Sequence, residues 1–372
     1  MSFRVASVSI ARYPVTPDPE NFDRFWKGVG QNTGNLMFTE SVFHLLDAEV
    51  QQIGFSFSPD DVNAKFDAVV IPAANWLNAN AQWDLLSELI EKLTIPVILI
   101  GIGLQAGTRT LESVKVSESA IRFVRLVSER SPSVSVRGDF TKAWLNSIGV
   151  QNVTTTGCPS LYMNAFKNER EPDPHRFALQ GTRYFASKAF NQTRPVEHHL
   201  FRSVAAVGAP MIFQSESEEM QRLLVGKSLG TFPEEASSAL VDLYGLKSVD
   251  ELDGFIDRFG KVFYNLSDWS NFVAALYGVV GTRLHGSIIA LNSGRRALLF
   301  GHDSRTQEVA EFASIPSITA EHLKSLRTAN DYLNALSDAK VQDYHDARAD
   351  NQIRFQQFLR EAGLPYRPER MF

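Results

Sequence analysis

The chain has 372 residues, 44% of them apolar, and a net charge of −5. It is too apolar for a disordered chain and longer than one hydrophobic core usually holds, so two domains are expected. The negative balance argues against nucleic acid or an anionic membrane as a bulk partner but leaves room for a local basic cleft.

The opening stretch MSFRVASVSIARYP makes a poor signal peptide, because Ser7, Ser9 and Arg12 break its apolar run. Residues 4–10 read as a first strand, and GQNTGN at 30–35 as a turn that brings Gly30, Asn32, Gly34 and Asn35 together. Residues 66–72 and 95–102 are near-continuous apolar runs, the pattern of parallel strands covered on both faces. Shorter strands are expected at 133–136 and 153–156, and helices at 35–47, 81–93, 117–130 and 139–148. Asn75 and Trp76 follow the second strand, where they could line a cleft. Cys158, the single cysteine, can form no intrachain disulfide and reads as a small packing residue in a reduced compartment, which places the chain in the cytoplasm. No apolar run is long enough to span a bilayer.

The charged, proline-containing stretch NEREPDPH at 168–175 reads as a linker, after which the alternation restarts. Strands are expected at 177–181, 210–214, 262–265, 278–281 and 297–300, and helices at 216–225, 249–258, 269–277, 285–292 and 306–313. The expected domains are therefore 1–170 and 175–340, each a Rossmann-like, doubly wound sheet. A polar helix at 341–361 begins a C-terminal segment, 341–372, expected to pack back on the first domain. In such sheets ligands bind beyond the carboxyl ends of the strands.

Two strand ends in the second half concentrate chemistry. Between positions 283 and 305 stand four arginines and one acid, Asp303. Arg283 and His285 fall in one strand-to-helix turn, and His302, Asp303 and Arg305 in the next. A helix N-terminus suits an anion, and an arginine fork suits phosphate or carboxylate. Arg137 ends a strand in the first half, so Arg137 and Arg283 are expected to face each other across the cleft. Each also admits a plainer reading as a salt-bridged arginine, and His285 as a structural histidine. The pair His198 and His199 is adjacent and polar, a poor metal site. P-loop, Gly-x-Ser-x-Gly, Cys-x-x-Cys and His-Glu-x-x-His motifs are missing from the sequence.

The segment GTRLHGSIIALNSGRRALLF at 281–300 resembles the signature of the polysaccharide pyruvyl transferase family. VSVRGDFTKAWLNSIGV at 134–150, TGCPSL at 156–161 and GQNTGN at 30–35 resemble further segments of that family in order and spacing. Asn35 stands where the family has an acid, Arg305 where lysine is usual and His302 where an aromatic is common. The resemblance implies an α/β, GT-B-like fold of two Rossmann-like domains facing across a cleft. It implies a transferase that moves a pyruvyl group from phosphoenolpyruvate to a sugar diol of a cell-surface or exopolysaccharide precursor, lipid-linked or not. Such an enzyme would work in the cytoplasm, at most peripherally at the inner membrane face. His285 and Asp303 are then the candidate catalytic residues. Arg137, Arg283, Arg305 and His302 are the donor-binding candidates, and Asn32, Gly34, Asn35 and Asn75 the acceptor or cleft-lining ones. No metal or other cofactor is required, because arginines can neutralise the leaving phosphate. The alternatives are a GT-B nucleotide-sugar glycosyltransferase and a non-catalytic sugar-binding relative.

Overall fold

The computed structural model describes residues 2–372 except 11, 13–16, 18–19, 165–169 and 184. The described residues form two parallel systems. The first contains β1 (Arg4–Ser7), β2 (Glu49–Gln52), β3 (Ala68–Pro72) and β4 (Val97–Ile100) in the order β2-β1-β3-β4. β5 (Val134–Val136) and β6 (Val153–Thr155) form a parallel pair. A bridge between Ile102 and Val136 joins that pair to the end of β4. The second sheet contains β7 (Asp173–Gln180), β8 (Met211–Phe213), β9 (Gly260–Val262), β10 (Leu276–Gly281) and β11 (Arg296–Leu299) in the order β11-β10-β7-β8-β9. Every pairing within both systems is parallel, with helices between the strands. The α/β, GT-B-like fold is thus present. In each sheet the strand order reverses, between β1 and β3 in the first and between β7 and β10 in the second. Doubly wound sheets open a ligand crevice at such reversals.

Strand alternation sorts the core. Val5, Val70, Ile98 and Ile100 belong to an apolar cluster that runs on into the second half through Phe177, Leu179 and Val279 of its sheet and Ile288 of the helix Leu284–Asn292. Ala6, Val69, Ile71 and Leu99 point the other way, onto Phe123, Val124 and Val127 of the helix Glu118–Arg130. One face of the first sheet is therefore shared with the rest of the molecule. The C-terminal helix Val341–Glu361 lies along this seam, with Phe355 stacked on Tyr162 and Tyr344 donating to Asn292 at 2.7 Å. The chain then returns to the first half. Asp47 N donates to Pro365 O at 2.9 Å, Arg367 N to Leu45 O at 2.8 Å, and the Arg367 guanidinium to Asp47 at 3.0 Å.

Several sequence expectations change. Of the expected linker, Asn168 and Glu169 lie outside the described residues, and 173–175 already belong to β7. Tyr277 is in β10, and the helix before it is Leu266–Ala274, started three residues early by Asn265, which caps the N–H groups of Ser267 and Asp268. β9 runs Gly260–Val262 and ends where a strand at 262–265 was expected to start. β2, EVQQ, gives no apolar signal because it is a mostly exposed edge strand. No helix among the described residues is long and apolar enough to cross a membrane.

Candidate active site

The carboxyl edges of the two sheets meet, and the polar residues at their strand ends are buried in the contact. Arg137 follows β5 directly and is fully buried. Its Nε donates to Gly101 O at 2.7 Å and one terminal nitrogen, Nη2, to Ala73 O at 3.2 Å, while Nη1 has no partner. The Phe38 ring centre lies 5.6 Å from the guanidinium carbon. Burial above all, with Arg305 adding to it, draws the Arg137 pKa down. An arginine so placed stays charged, so it is a cation held by two carbonyls and open on one side.

The arginine that comes up to Arg137 from the second half is Arg305. The stems of the two flank Gly103, and a methyl group there would lie 3.0 Å from Arg137 Cδ and 3.3 Å from Arg305 Cγ. Arg305 Nε is buried without a partner, and Nη2 lies 3.3 Å from Asp303 Oδ2. Asp303 has two tasks. Its Oδ1 caps the helix Ser304–Phe312 by accepting from Thr306 N and Oγ1, both at 2.8 Å. Its Oδ2 faces Arg305. Burial pushes the Asp303 pKa up, but Arg305, His302 and the bonds from Thr306 outweigh it and hold the carboxyl below its ordinary value. Such a carboxylate orients a cation better than it takes up a proton. His302 has both ring nitrogens buried without partners, and burial lowers its pKa to about 4 against the pull of Asp303.

His285 stands in the first turn of the helix Leu284–Asn292 and is 8% exposed. Its Nε2 is 3.7 Å from Cys158 Sγ, and its ring centre is 5.6 Å from that of Phe38. The other nitrogen faces Gly34, where a methyl group would come within 3.3 Å of Nδ1 and 2.4 Å of Gln214 Oε1. Only a residue without a side chain lets this turn approach so closely. Burial first, then Arg137 and Arg305, push the His285 pKa well below 6.5, so the ring is neutral.

Arg283 departs from expectation. It does not face Arg137 with an open fork. Its Nε donates to Gly181 O at 2.7 Å, and Nη2 bonds Ser215 Oγ and pairs with Glu216. Glu216 is fully buried and also accepts from the backbone N–H groups of Arg183, Gln214 and Ser215 at 2.9–3.0 Å. Of the four acceptor candidates, Asn32 and Asn35 shape the turn. Asn32 Oδ1 accepts from Gly34 N at 2.8 Å, and Asn35 Nδ2 donates to Val29 O at 3.1 Å. Asn75 donates to Gln105 Oε1 at 2.7 Å at the mouth of a cavity of about 360 Å³.

Three participants lack a charge pattern that would single them out in the sequence. Gln214, just beyond β8, has its Nε2 buried and unpartnered near Gly34 and Gly286. Glu308 reaches from the helix Ser304–Phe312 to Thr141 of the first half, accepting from its N at 3.0 Å and its Oγ1 at 2.6 Å. Cys158, expected only to pack, is the neighbour of His285. A strand-end search extended to glutamine would have found Gln214; nothing local marks Glu308. In all, the junction offers two partly unengaged arginines, a neutral buried histidine and one spare amide donor, Gln214 Nε2. It can hold a small multiply charged anion and pass a proton to it.

A family model described as "Polysaccharide pyruvyl transferase" matches residues 32–304. No curated protein matches the sequence. Among solved structures, a putative UDP-N-acetylglucosamine 2-epimerase from Listeria monocytogenes is 11% identical. The match covers 97% of this chain and 98% of that one, with a TM-score of 0.47. The UDP-GlcNAc 2-epimerase from Methanocaldococcus jannaschii is 12% identical over 96% and 100% of the two chains, with a TM-score of 0.46. The S. aureus MnaA–UDP co-structure is 10% identical over 94% and 91%, with a TM-score of 0.44.

Proposed function

The chain belongs to the polysaccharide pyruvyl transferase family, and from that premise we propose that it transfers a pyruvyl group from phosphoenolpyruvate to a pair of hydroxyls on a cytoplasmic saccharide precursor. The observation that carries this reading is the pair of buried, unpartnered donor atoms, Arg137 Nη1 and Arg305 Nε, beside a neutral histidine. Buried polar groups normally find partners, and a phosphate with a neighbouring carboxylate would supply them. Arg137 and Arg305 grip the donor. Arg283, paired with Glu216, adds field rather than direct contact, and Asp303 holds Arg305 in place.

The chemistry then needs one mobile proton. Donor binding brings negative charge against His285 and raises its depressed pKa, so the imidazole becomes protonated with its substrate. His285 gives that proton to the methylene carbon, which becomes the methyl group. The adjacent carbon becomes electrophilic and a sugar hydroxyl attacks it, its proton returning to His285. The carbon–oxygen bond to phosphate breaks, the second hydroxyl closes the ketal, and the last proton leaves with the phosphate. The arginines stabilise the charge gathering on that leaving group.

The test is phosphate release from phosphoenolpyruvate across a panel of acceptor glycosides, with deuterium incorporation at the methyl carbon in heavy water. His285→Gln is expected to keep donor affinity and lose on the order of 10²–10⁴-fold in turnover. Turnover at the wild-type rate would remove His285 from the proton transfer. Glycosyl transfer from a nucleotide sugar, with phosphoenolpyruvate inert, would overturn the reading as a whole.

A further inference from the structure

The cavity beside the arginines has a different chemistry from the junction itself. It opens at the reversal of strand order between β1 and β3, with Ile10 after one strand and Pro72, Ala74 and Asn75 at the end of the other. One wall is aromatic. Trp76 and Trp83 stack with ring centres 4.2 Å apart, and Trp83 Nε1 donates to Trp76 O at 3.1 Å. Phe123 backs both indoles from the core. Phe55 leans over the pair at 5.7 Å from Trp76 and is 38% exposed. Gly54, at φ +68° with open space around it, supplies the left-handed turn that lifts Phe55 out. The rest of the described lining includes neutral polar groups. The Asn35 and Asn75 amides donate within the chain through Nδ2 and leave their carbonyl oxygens unengaged. Among the described residues that line the cavity none is acidic, and the one that is charged is Lys27.

We propose that this aromatic–asparagine cavity is the seat of the acceptor saccharide, holding a neutral pyranose ring flat against Phe55 and the Trp76–Trp83 stack. The inference rests on the transferase reading above and says where and how its acceptor is recognised. A pyranose has an apolar face of C–H groups and a rim of hydroxyls. The negative π-face of an aromatic ring attracts the former, and amide oxygens accept hydrogen bonds from the latter. A volume of about 360 Å³ lies in the range of small-molecule sites. The position is also right. Phe38 lines the cavity and touches both Arg137 and His285, so a ring seated there presents its hydroxyls at the edge of the cationic junction. Phe55 and Asn75 set acceptor choice, then, without touching the donor.

Tryptophan fluorescence of the full chain, titrated with methyl glycosides of galactose, glucose, mannose and N-acetylglucosamine without phosphoenolpyruvate, tests this directly. At least one glycoside is expected to give a saturable change. Phe55→Ala should weaken that sugar's Kd about tenfold, the scale of one lost aromatic contact, and Asn75→Ala should raise acceptor KM with donor KM unmoved. Phe55 is exposed enough for its alanine variant to fold. Silence with every glycoside, an unchanged Kd in Phe55→Ala, or saturation by uridine nucleotides instead of glycosides would each overturn the proposal. Sugar binding that depends on Phe55, with no pyruvylated product, would leave the saccharide seat standing and bring down the transfer reading instead.

Discussion

Arg137 and Arg283 occupy matching places in the two halves. Each lies just past the end of a buried parallel strand and just ahead of a helix. Arg283 meets a buried carboxylate, Glu216, already held by three backbone N–H groups, so its charge is matched inside the fold. Arg137 meets two backbone carbonyls, and the acids that act on it, Glu308 and Asp303, do so from beyond contact. The same placement thus produces a structural ion pair on one edge and an open cation on the other. Strand ends deliver arginines to the cleft, but the groups around each decide whether its charge remains available to a ligand.

The largest effect expected from this contrast is on stability. Arg283→Ala strands the Glu216 carboxylate in the interior and should cost about 3–5 kcal/mol in urea unfolding, because removing one partner leaves a buried charge unpaired. Adding Glu216→Gln should restore part of the loss. An Arg283→Ala protein as stable as wild type but unable to bind phosphoenolpyruvate would break the comparison, making Arg283 the donor clamp.

Next comes catalysis. Arg137→Ala should lower kcat/KM for the donor by about 10²–10³-fold, as loss of a preorganised charge at a reacting anion does. Arg137→Lys should recover little, because the bonds to Gly101 and Ala73 fix a planar fork that lysine lacks. Steady-state kinetics with phosphoenolpyruvate as the varied substrate checks both. Equal donor kinetics in Arg137→Ala and wild type would reverse the assignment.

The smallest effect sharpens the contrast through Glu308. Burial raises its carboxyl pKa to about 7, against the bonds from Thr141 and the pull of Arg137 and Arg109. Near neutrality Glu308 is therefore partly protonated and cannot neutralise Arg137 as Glu216 neutralises Arg283. A carboxyl raised in the folded state contributes stability that is complete below its ordinary value of 4.5 and lost as pH rises through about 7. The histidines run the other way. His302, lowered to about 4, contributes stability present above 6.5 and lost as pH falls. Urea unfolding of Glu308→Gln and wild type from pH 5 to 8 should separate these. The variant should gain on wild type by about 2–3 kcal/mol across that range, with most of the gain by pH 7. A constant difference would mean that Glu308 is ionised throughout.

The legible part of this molecule followed burial. β3, β4 and β10 announce themselves because both faces are covered, and the polar stretch 341–361 is the helix Val341–Glu361, as expected. β2 and the helix Pro59–Lys65 are largely polar and give no apolar signal, and the helices Phe22–Gly28, Pro195–Val207, Glu234–Tyr244 and Ala329–Ser337 carry no expectation from the sequence either, although each buries part of one face. At the junction, strand-end position picked out Arg137, His285, His302, Asp303 and Arg305, which the structure brings together. It could not distinguish a paired arginine from an open one, because Glu216 lies 67 residues from Arg283 and carries no mark of its partner. The aromatic wall was hidden for a similar reason. Trp76 stands where it could line a cleft, but nothing in the sequence joins Trp83 and Phe55 to it, and only the contacts among the three rings show the surface.

The return of the chain to its own beginning has a consequence in time. Asp47 and Arg367 bond across 320 residues of sequence. At about 5–20 residues per second of synthesis, roughly 15–60 s separate the emergence of one from the other. Once β4 has been made, the first sheet has its strands but lacks the helix carrying Glu308 until residues 304–312 emerge, and its closing tail for longer still, so the apolar face it shares with the second half stays incompletely covered. The nascent chain therefore passes through a long window in which its earliest-made half is the part most in need of protection from other unfolded chains.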